Sequence, residues 1–515
     1  MRAHGWCSVN ASAGRERAAV QQLAIRNIAL AAALIGAAAL PAAGADWPVF
    51  GDDPARSGVD GSSPVLTVSN VSRLRSRWQI SLGAVADSTP ILLEHIKTGG
   101  SSRAMLFETT KVGTTLGIDA ASGRILWRFA THLQSRAGIV GSLYNTVFGP
   151  IVTNSTPAAD PSGRAIYAPG LDGFVYKLDA ATGAQLHAPG FPARLTLMPQ
   201  TEKDASALNV ANGYLYAATS GYNGDAEPYD GHVVSVRLRD GETHVFNSLC
   251  SEQRSLPTPA SCKQQRSRIW SRGGAVVDPD PAMRGRVYAA TGNGDFDADK
   301  GGHNYGDSVL ALSTDLSSLL GHYAPATFQS LDEEDADLGS TSPALLPRQR
   351  ASRTQLMLVQ GGKDQVLKLL NRAPLPGVGG ELQKIGLPGR LFSTPAVWTD
   401  ASGRVWVFLG FSEEIDAYRL LTDARGTSRL THVWRAPAGK TERQGTSPVV
   451  SDGIVFDAFD GALVALDART GHVLWSSARR TGHTIGPVHW ESPIVVNGWV
   501  YCSDENGNLT AYALR

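Results

Sequence analysis

The chain has 515 residues, of which 18% are charged and 42% hydrophobic, with 55 Gly and 28 Pro; this is the composition of a well-buried, turn-rich globular protein and excludes disorder and collagen. Basic and acidic residues balance at 47 each, and setting the first 45 residues aside leaves 43 basic against 46 acidic groups, a net charge of about −3 that gives no electrostatic case for nucleic acid. At roughly 150 residues per domain the length alone suggests about three domains, a reading that the internal repeats overturn.

The first element is an apolar run from Ile28 to Leu40, preceded by Arg26 and followed by the small-x-small step Ala43-Gly44-Ala45. It predicts a signal peptide and leader over 1–45, cleaved before Asp46, and a mature chain 46–515 that is periplasmic or secreted. The run falls short of the roughly 20 residues that span a bilayer, and no later stretch approaches it, so no transmembrane span is expected after the signal peptide; an uncleaved anchor is the alternative. Removing the leader leaves Cys250, Cys262 and Cys502. In an oxidising compartment Cys250 and Cys262 are close enough to bridge a loop, and three buried thiols are the other option.

From Ser88 onward a Ser/Thr-Pro step leads repeatedly into a short apolar run, with prolines at 90, 157, 343, 395, 448 and 493. The long interval between Pro157 and Pro343 holds two degenerate copies, near Ala205-Ser206-Ala207-Leu208 and Arg272-Gly273-Gly274-Ala275-Val276, which makes eight units. Each unit continues into alternating strands such as Gly213-Tyr214-Leu215-Tyr216-Ala217 and Arg286-Val287-Tyr288-Ala289-Ala290. Several end in Asp-Ala-x-x-Gly followed by Trp, as in Asp119-Ala120-Ala121-Ser122-Gly123 leading to Trp127, and Asp467-Ala468-Arg469-Thr470-Gly471 leading to Trp475. The Asp and Gly suit a tight hairpin, and the Trp can fill the gap between neighbouring sheets.

Four short strands per repeat predict an all-β fold, an eight-bladed β-propeller of four-stranded blades. The last repeat stops at Thr510-Ala511-Tyr512-Ala513-Leu514-Arg515 without its final strand. Leu74-Arg75-Ser76-Arg77-Trp78-Gln79-Ile80 looks like the missing piece, so the N- and C-terminal strands are expected to share one blade and close the ring at a seam between Trp78 and Tyr512.

The Ser/Thr-Pro step and the Leu-Asp-Ala-x-Thr-Gly-x-x-Leu-Trp ending resemble the repeat of quinoproteins that depend on pyrroloquinoline quinone (PQQ) and, more distantly, of BamB-like propellers. The opening Asp46-Trp47-Pro48-Val49-Phe50-Gly51 is similar to that of the polyvinyl-alcohol-dehydrogenase-like members. The resemblance implies PQQ as cofactor, a Ca or lanthanide ion, a small alcohol or polyol substrate, and a separate cytochrome or other electron acceptor, since no Cys-x-x-Cys-His haem motif is present.

It also implies a site. Ile269-Trp270-Ser271-Arg272-Gly273-Gly274 resembles the segment whose indole forms the cofactor's floor. Ala290-Thr291-Gly292-Asn293-Gly294 looks like the turn whose Asn binds the metal, although Asn-Gly is also ordinary turn chemistry. Leu331-Asp332-Glu333-Glu334-Asp335-Ala336-Asp337 is similar to the acidic segment carrying the catalytic base, which places Asp335 as base and metal ligand and Asp337 as the extra carboxylate of lanthanide-using relatives. Gly361-Gly362-Lys363-Asp364 resembles the turn whose cation points at the quinone oxygens, which gives Lys363 that role. Glu227 is the loose counterpart of the metal-binding Glu.

Two departures stand against a working enzyme: the adjacent cysteine pair found in many relatives is missing, and the Glu match is loose. The alternative is therefore a non-catalytic envelope propeller that binds protein or polymer, and whether the candidate side chains converge in one pocket on the axis discriminates the two.

Overall fold

In the computed structural model each Ser/Thr-Pro step is followed at once by the innermost strand of a blade. The description covers residues 45–61, 65–131, 152–222, 227–442, 444–479 and 482–514, so the predicted leader lies outside the described residues except for Ala45. Inner strands run over Ile91–Thr98, Ala158–Ala159, Asn209–Ala211, Val276–Val277, Ala344–Leu345, Ala396–Thr399, Val449–Ser451 and Ile494–Val496, which we number blades 1 to 8. Both proline-free repeats are thus blades; their inner strands start at Asn209 and Val276, so the three repeats they divide are unequal. Among the described residues six sheets have four strands, while blades 3 and 4 carry a fifth.

The step hydroxyls have a structural reason. Thr89 N–H donates to Thr156 Oγ1 of the next blade at 2.9 Å, Thr394 N–H to Ser447 Oγ at 2.9 Å, and Ser447 N–H to Ser492 Oγ at 3.0 Å. Ser and Thr at this position therefore stitch consecutive blades together around the axis.

Tryptophans do the same at the rim. Trp78, Trp127 and Trp434 each donate their indole N–H to the Ala carbonyl of the next blade's Asp-Ala-x-x-Gly turn: Ala120 at 3.2 Å, Ala180 at 3.0 Å and Ala468 at 3.1 Å. The turn glycine is needed twice over at Gly123, whose φ is +73° and where a Cβ would sit 2.8 Å from the Trp78 ring.

Blade 8 closes the ring as expected. Arg75–Ser81 pairs antiparallel with Asn508–Ala513, with Trp78 opposite Ala511 and Ser76 opposite Tyr512 on either side of a bulge. The cysteines resolve to a Cys250–Cys262 disulfide and a buried Cys502 thiol.

The opening segment forms a strap that fills the axial channel. Trp47 pairs with Leu92 of blade 1, Pro48 O accepts from Ala159 of blade 2 at 2.8 Å, and Pro54 O accepts from Val277 of blade 4 at 2.8 Å. Further along, Ser57 O accepts from Val397 of blade 6 and Gly58 O from Val450 of blade 7, both at 2.8 Å. Buried Arg56 binds the strap to the steps of blades 3 and 4, donating to Ala207 O and Leu208 O at 3.0 Å and to Gly273 O at 3.1 Å. The gap between the strap and the steps of blades 1, 6, 7 and 8 is about 10 Å³, room for about one water. No helix among the described residues is long and apolar enough to cross a membrane.

Candidate active site

Two loop positions recur in every blade on the side of the steps away from the strap: the approach to the inner strand, and the turn after the second strand. Ile269, on the approach to blade 4, is fully buried in the core and its N–H donates to Thr219 O at 3.0 Å. That anchor fixes its neighbours Arg268 and Trp270. The Trp270 ring lies 5.6 Å from Trp490 at an interplanar angle of 12° and edge-on to Phe392 at 6.0 Å. Two cations lie over it, Arg268 with Cζ at 4.9 Å and Lys363 with Nζ at 5.4 Å from the ring centre.

Asn293 follows the second strand of blade 4. Its N–H donates to Asp337 Oδ1 at 2.9 Å and its Nδ2 to Asp335 Oδ1 at 3.3 Å, while its Oδ1 is buried with no hydrogen-bond partner. Gly292 is required here, because a Cβ would come 2.1 Å from Asp337 Oδ1. Lys363 follows the second strand of blade 5; its N–H donates to Asp337 O at 3.0 Å, and its Nζ lies 2.8 Å from Asp335 Oδ1 and 2.5 Å from Asp337 Oδ2. Arg268 Nη2 reaches Asp337 Oδ2 at 3.1 Å and Asp335 Oδ1 at 3.7 Å.

The two carboxylates differ in access. Asp337 is fully buried, whereas the side chain of Asp335 is 64% exposed. Burial alone would raise the Asp337 carboxyl, but the charges of Arg268 and Lys363, with hydrogen bonds from Lys363 and the Asn293 amide, outweigh it and hold that group below the usual carboxylate range.

Five of the six expected residues, Trp270, Asn293, Asp335, Asp337 and Lys363, are thereby brought into one cluster. Glu227 is placed elsewhere, in a half-exposed ion pair with Arg266 at 3.1 Å.

Sequence reasoning missed Arg268, although its i, i+2 relation to Trp270 in an extended segment was the available signal. It also missed the neighbouring axial groups. Lys111, which follows the second strand of blade 1, pairs with Asp87 at 2.9 Å and with Glu505 at 3.0 Å, and His489 Nδ1 lies 3.3 Å from Asp87. Lys203 is held by Asn154, and burial pulls it down to about 8. Lys203, Tyr222, Arg268, Trp270, His489 and Trp490 line a shared cavity of about 100 Å³, smaller than most small-molecule sites. Phe392 lies at the edge of an adjoining cleft of about 470 Å³, which shares Gln444 with that cavity.

A family model for the glucose/ethanol/alcohol dehydrogenase β-propeller domain, the PQQ model, matches residues 47–374. The chain belongs to the PQQ β-propeller family. A second model, that of the outer membrane protein assembly factor BamB, matches residues 425–515. Within the PQQ family the chain is similar to the quinohemoprotein alcohol dehydrogenase ADH IIB of Pseudomonas putida, at 25% identity over 294 residues, 52% of this chain and 38% of that protein. It spans about two fifths of the length of the curated relatives it matches.

Among solved structures it superposes on the quinohemoprotein alcohol dehydrogenase ADHIIG of Pseudomonas putida HK5 with a TM-score of 0.64 at 14% identity, covering 91% of this chain and 80% of that one. A europium-containing methanol dehydrogenase gives 0.62 at 16% identity, covering 92% and 99%. These two likenesses concern the fold.

The residues present suit a flat anionic quinone better than a metal. Trp270, Arg268 and Lys203 line the cavity and supply an aromatic surface and positive charge of the kind such a ligand takes, in a space of about 100 Å³. Of the expected metal donors, Glu227 is tied to Arg266, both oxygens of Asp337 are engaged, and Asp335 Oδ1 is paired to Lys363, which leaves Asn293 Oδ1 and the exposed Asp335 Oδ2 open.

Proposed function

We propose that the chain is a PQQ-dependent dehydrogenase-like protein of the envelope that oxidises an alcohol or polyol at the Trp270 cluster. The observation that carries this reading is the juxtaposition of Lys363 with both Trp270 and the exposed carboxylate of Asp335. PQQ, when bound, supplies the two-electron oxidant. Trp270 would offer it an aromatic surface, and Lys363 and Arg268 would supply positive charge beside it.

Asp335 takes the proton of the substrate hydroxyl, a role its exposure permits and the fully buried Asp337 cannot fill. The carbon-bound hydrogen would pass as hydride to bound PQQ, which a separate cytochrome or other acceptor would reoxidise. The Ca or lanthanide ion implied by the resemblance has no role in the reaction proposed, because Glu227, Asp337 and Asp335 Oδ1 are already paired.

The sequence over 1–45 supports export to the periplasm or beyond, with cleavage before Asp46.

The test is reconstitution of the purified protein with PQQ, alone and with Ca²⁺ or a lanthanide, followed by calorimetry and alcohol-dependent dye reduction. Saturable PQQ binding with substrate-dependent turnover is expected. No binding in any arm leaves the second reading, a scaffold for protein or polymer, which the BamB match over residues 425–515 favours.

A further inference from the structure

The Asn293 cluster has two carboxylates and two fixed cations facing them. Asp335 and Asp337 carry the negative charge, and Arg268 and Lys363 the positive. Two further acids are close, Asp307 and Asp332; burial raises both, and Asp307 Oδ1 accepts from Leu338 N–H at 2.9 Å. Arg268 and Lys363 match Asp335 and Asp337 one for one.

Lys363 and Arg268 are not equivalent in this balance. A lysine is a point charge, and Lys363 meets a single oxygen of Asp337, at 2.5 Å. Arg268 is held on both sides: its guanidinium reaches both oxygens of Asp337, at 3.5 and 3.1 Å, and lies over the Trp270 ring. It cannot lose its proton, and it cannot leave without exposing a fully buried carboxylate.

We infer that Arg268 takes the place of a metal ion in this chain, closing the Asn293–Asp335–Asp337 cluster to divalent and trivalent cations. A metal entering beside Asn293 Oδ1 would meet two cations and find both Asp337 oxygens and Asp335 Oδ1 engaged, with Asp335 Oδ2 as the one carboxylate oxygen left to it. Removing Arg268 leaves an excess negative charge next to one open amide oxygen, a start of the oxygen-rich set that Ca²⁺ and lanthanides take. The inference concerns the same cluster as the proposed oxidation, but its readout needs no quinone, so either can fail without the other.

The experiment is a terbium titration of the full chain, read as Tb³⁺ luminescence sensitised by tryptophan, in wild type, Arg268→Gln, Asn293→Ala and the Arg268→Gln/Asn293→Ala double variant. The signal that counts is the part lost on Asn293→Ala, which separates this cluster from ion uptake at Asp87, His489 and Glu505. Wild type is expected to show none above background, and Arg268→Gln a saturable signal at least tenfold above that background, which the double variant loses again. A wild-type signal that a folded Asn293→Ala chain loses overturns the inference. A folded Arg268→Gln chain with no gain overturns it as well.

Discussion

Trp475 donates its indole N–H to the carbonyl of Leu74 at 3.2 Å, joining residues 401 positions apart. The bond repeats the docking of Trp78, Trp127 and Trp434, with Leu74 standing where the Asp-Ala-x-x-Gly alanine stands in other blades, because blade 8 is assembled from both ends of the chain. Trp475 also packs edge-on against Tyr512 at 5.3 Å. Trp475→Phe keeps most of the packing and loses the bond, so a cost of about 1 kcal/mol is expected. Trp475→Ala opens a cavity at the seam and should cost about 3–5 kcal/mol, read as a lower midpoint in denaturant.

Deleting the last ten residues removes the strand Asn508–Ala513, which pairs with both Trp499–Ser503 and Arg75–Ser81. Two strand edges are then left open in one blade. The expected outcome is a ring-wide loss of stability, seen as a lower Tm and aggregation, and an unchanged Tm would show that the other seven blades hold without closure.

Stability should fall as pH rises from about 4 toward 8. Burial raises Glu108 to about 8 and Asp457 to about 7, so in this window the folded chain keeps protons that the unfolded chain releases. A raised carboxyl contributes its full stability below its unfolded pKa and loses it as pH passes through the folded value, at up to about 1.4 kcal/mol per pH unit for each group. Asp337 acts in the opposite sense at the acid end, where its stabilisation fades as pH drops below about 4. A Tm profile with its maximum on the acid side, flattened by Glu108→Gln, is the expected result.

Asp335→Asn and Lys363→Met separate chemistry from binding. The first removes the proton acceptor and keeps the shape, so quinone affinity should hold while alcohol-dependent turnover falls about 10²-fold or more. Lys363→Met strips a cation from the fully buried Asp337, and both Tm and quinone affinity should drop, by about 3–5 kcal/mol in stability. Equal turnover in wild type and Asp335→Asn would remove Asp335 as base.

The repeats made the fold legible because a propeller blade writes the same local chemistry eight times: the step proline and hydroxyl, the Asp and Gly of the hairpin, and the docking Trp all occupy fixed places. The two repeats without proline were still readable from the interval they fill, although their unequal lengths were not. In the candidate site, Trp270, Asn293, Asp335, Asp337 and Lys363 were found through motifs, and their nearness follows from sharing the same two loop positions in blades 4 and 5. Arg268 escaped because its significance lies in the distance to Asp337, 69 positions away. Lys111, Asp87, His489 and Glu505 escaped for the same reason, as blades 1 and 8 meet only when the ring closes. The strap was invisible too, since nothing local in Pro48, Pro54 or Ser57 says which strand edge its carbonyl will serve.

Among the described residues, that strap closes one end of the axis. The site residues precede the steps or follow the second strands, whereas the strap's bonds go to residues just beyond the steps, so the strap lies behind the site and fills the axis there. In the proposed reaction, alcohol and electron acceptor would then have to use the same opening in turn. Kinetics of the ping-pong type, with excess alcohol inhibiting the acceptor and excess acceptor inhibiting the alcohol, follow from a blocked channel rather than from any residue at the site.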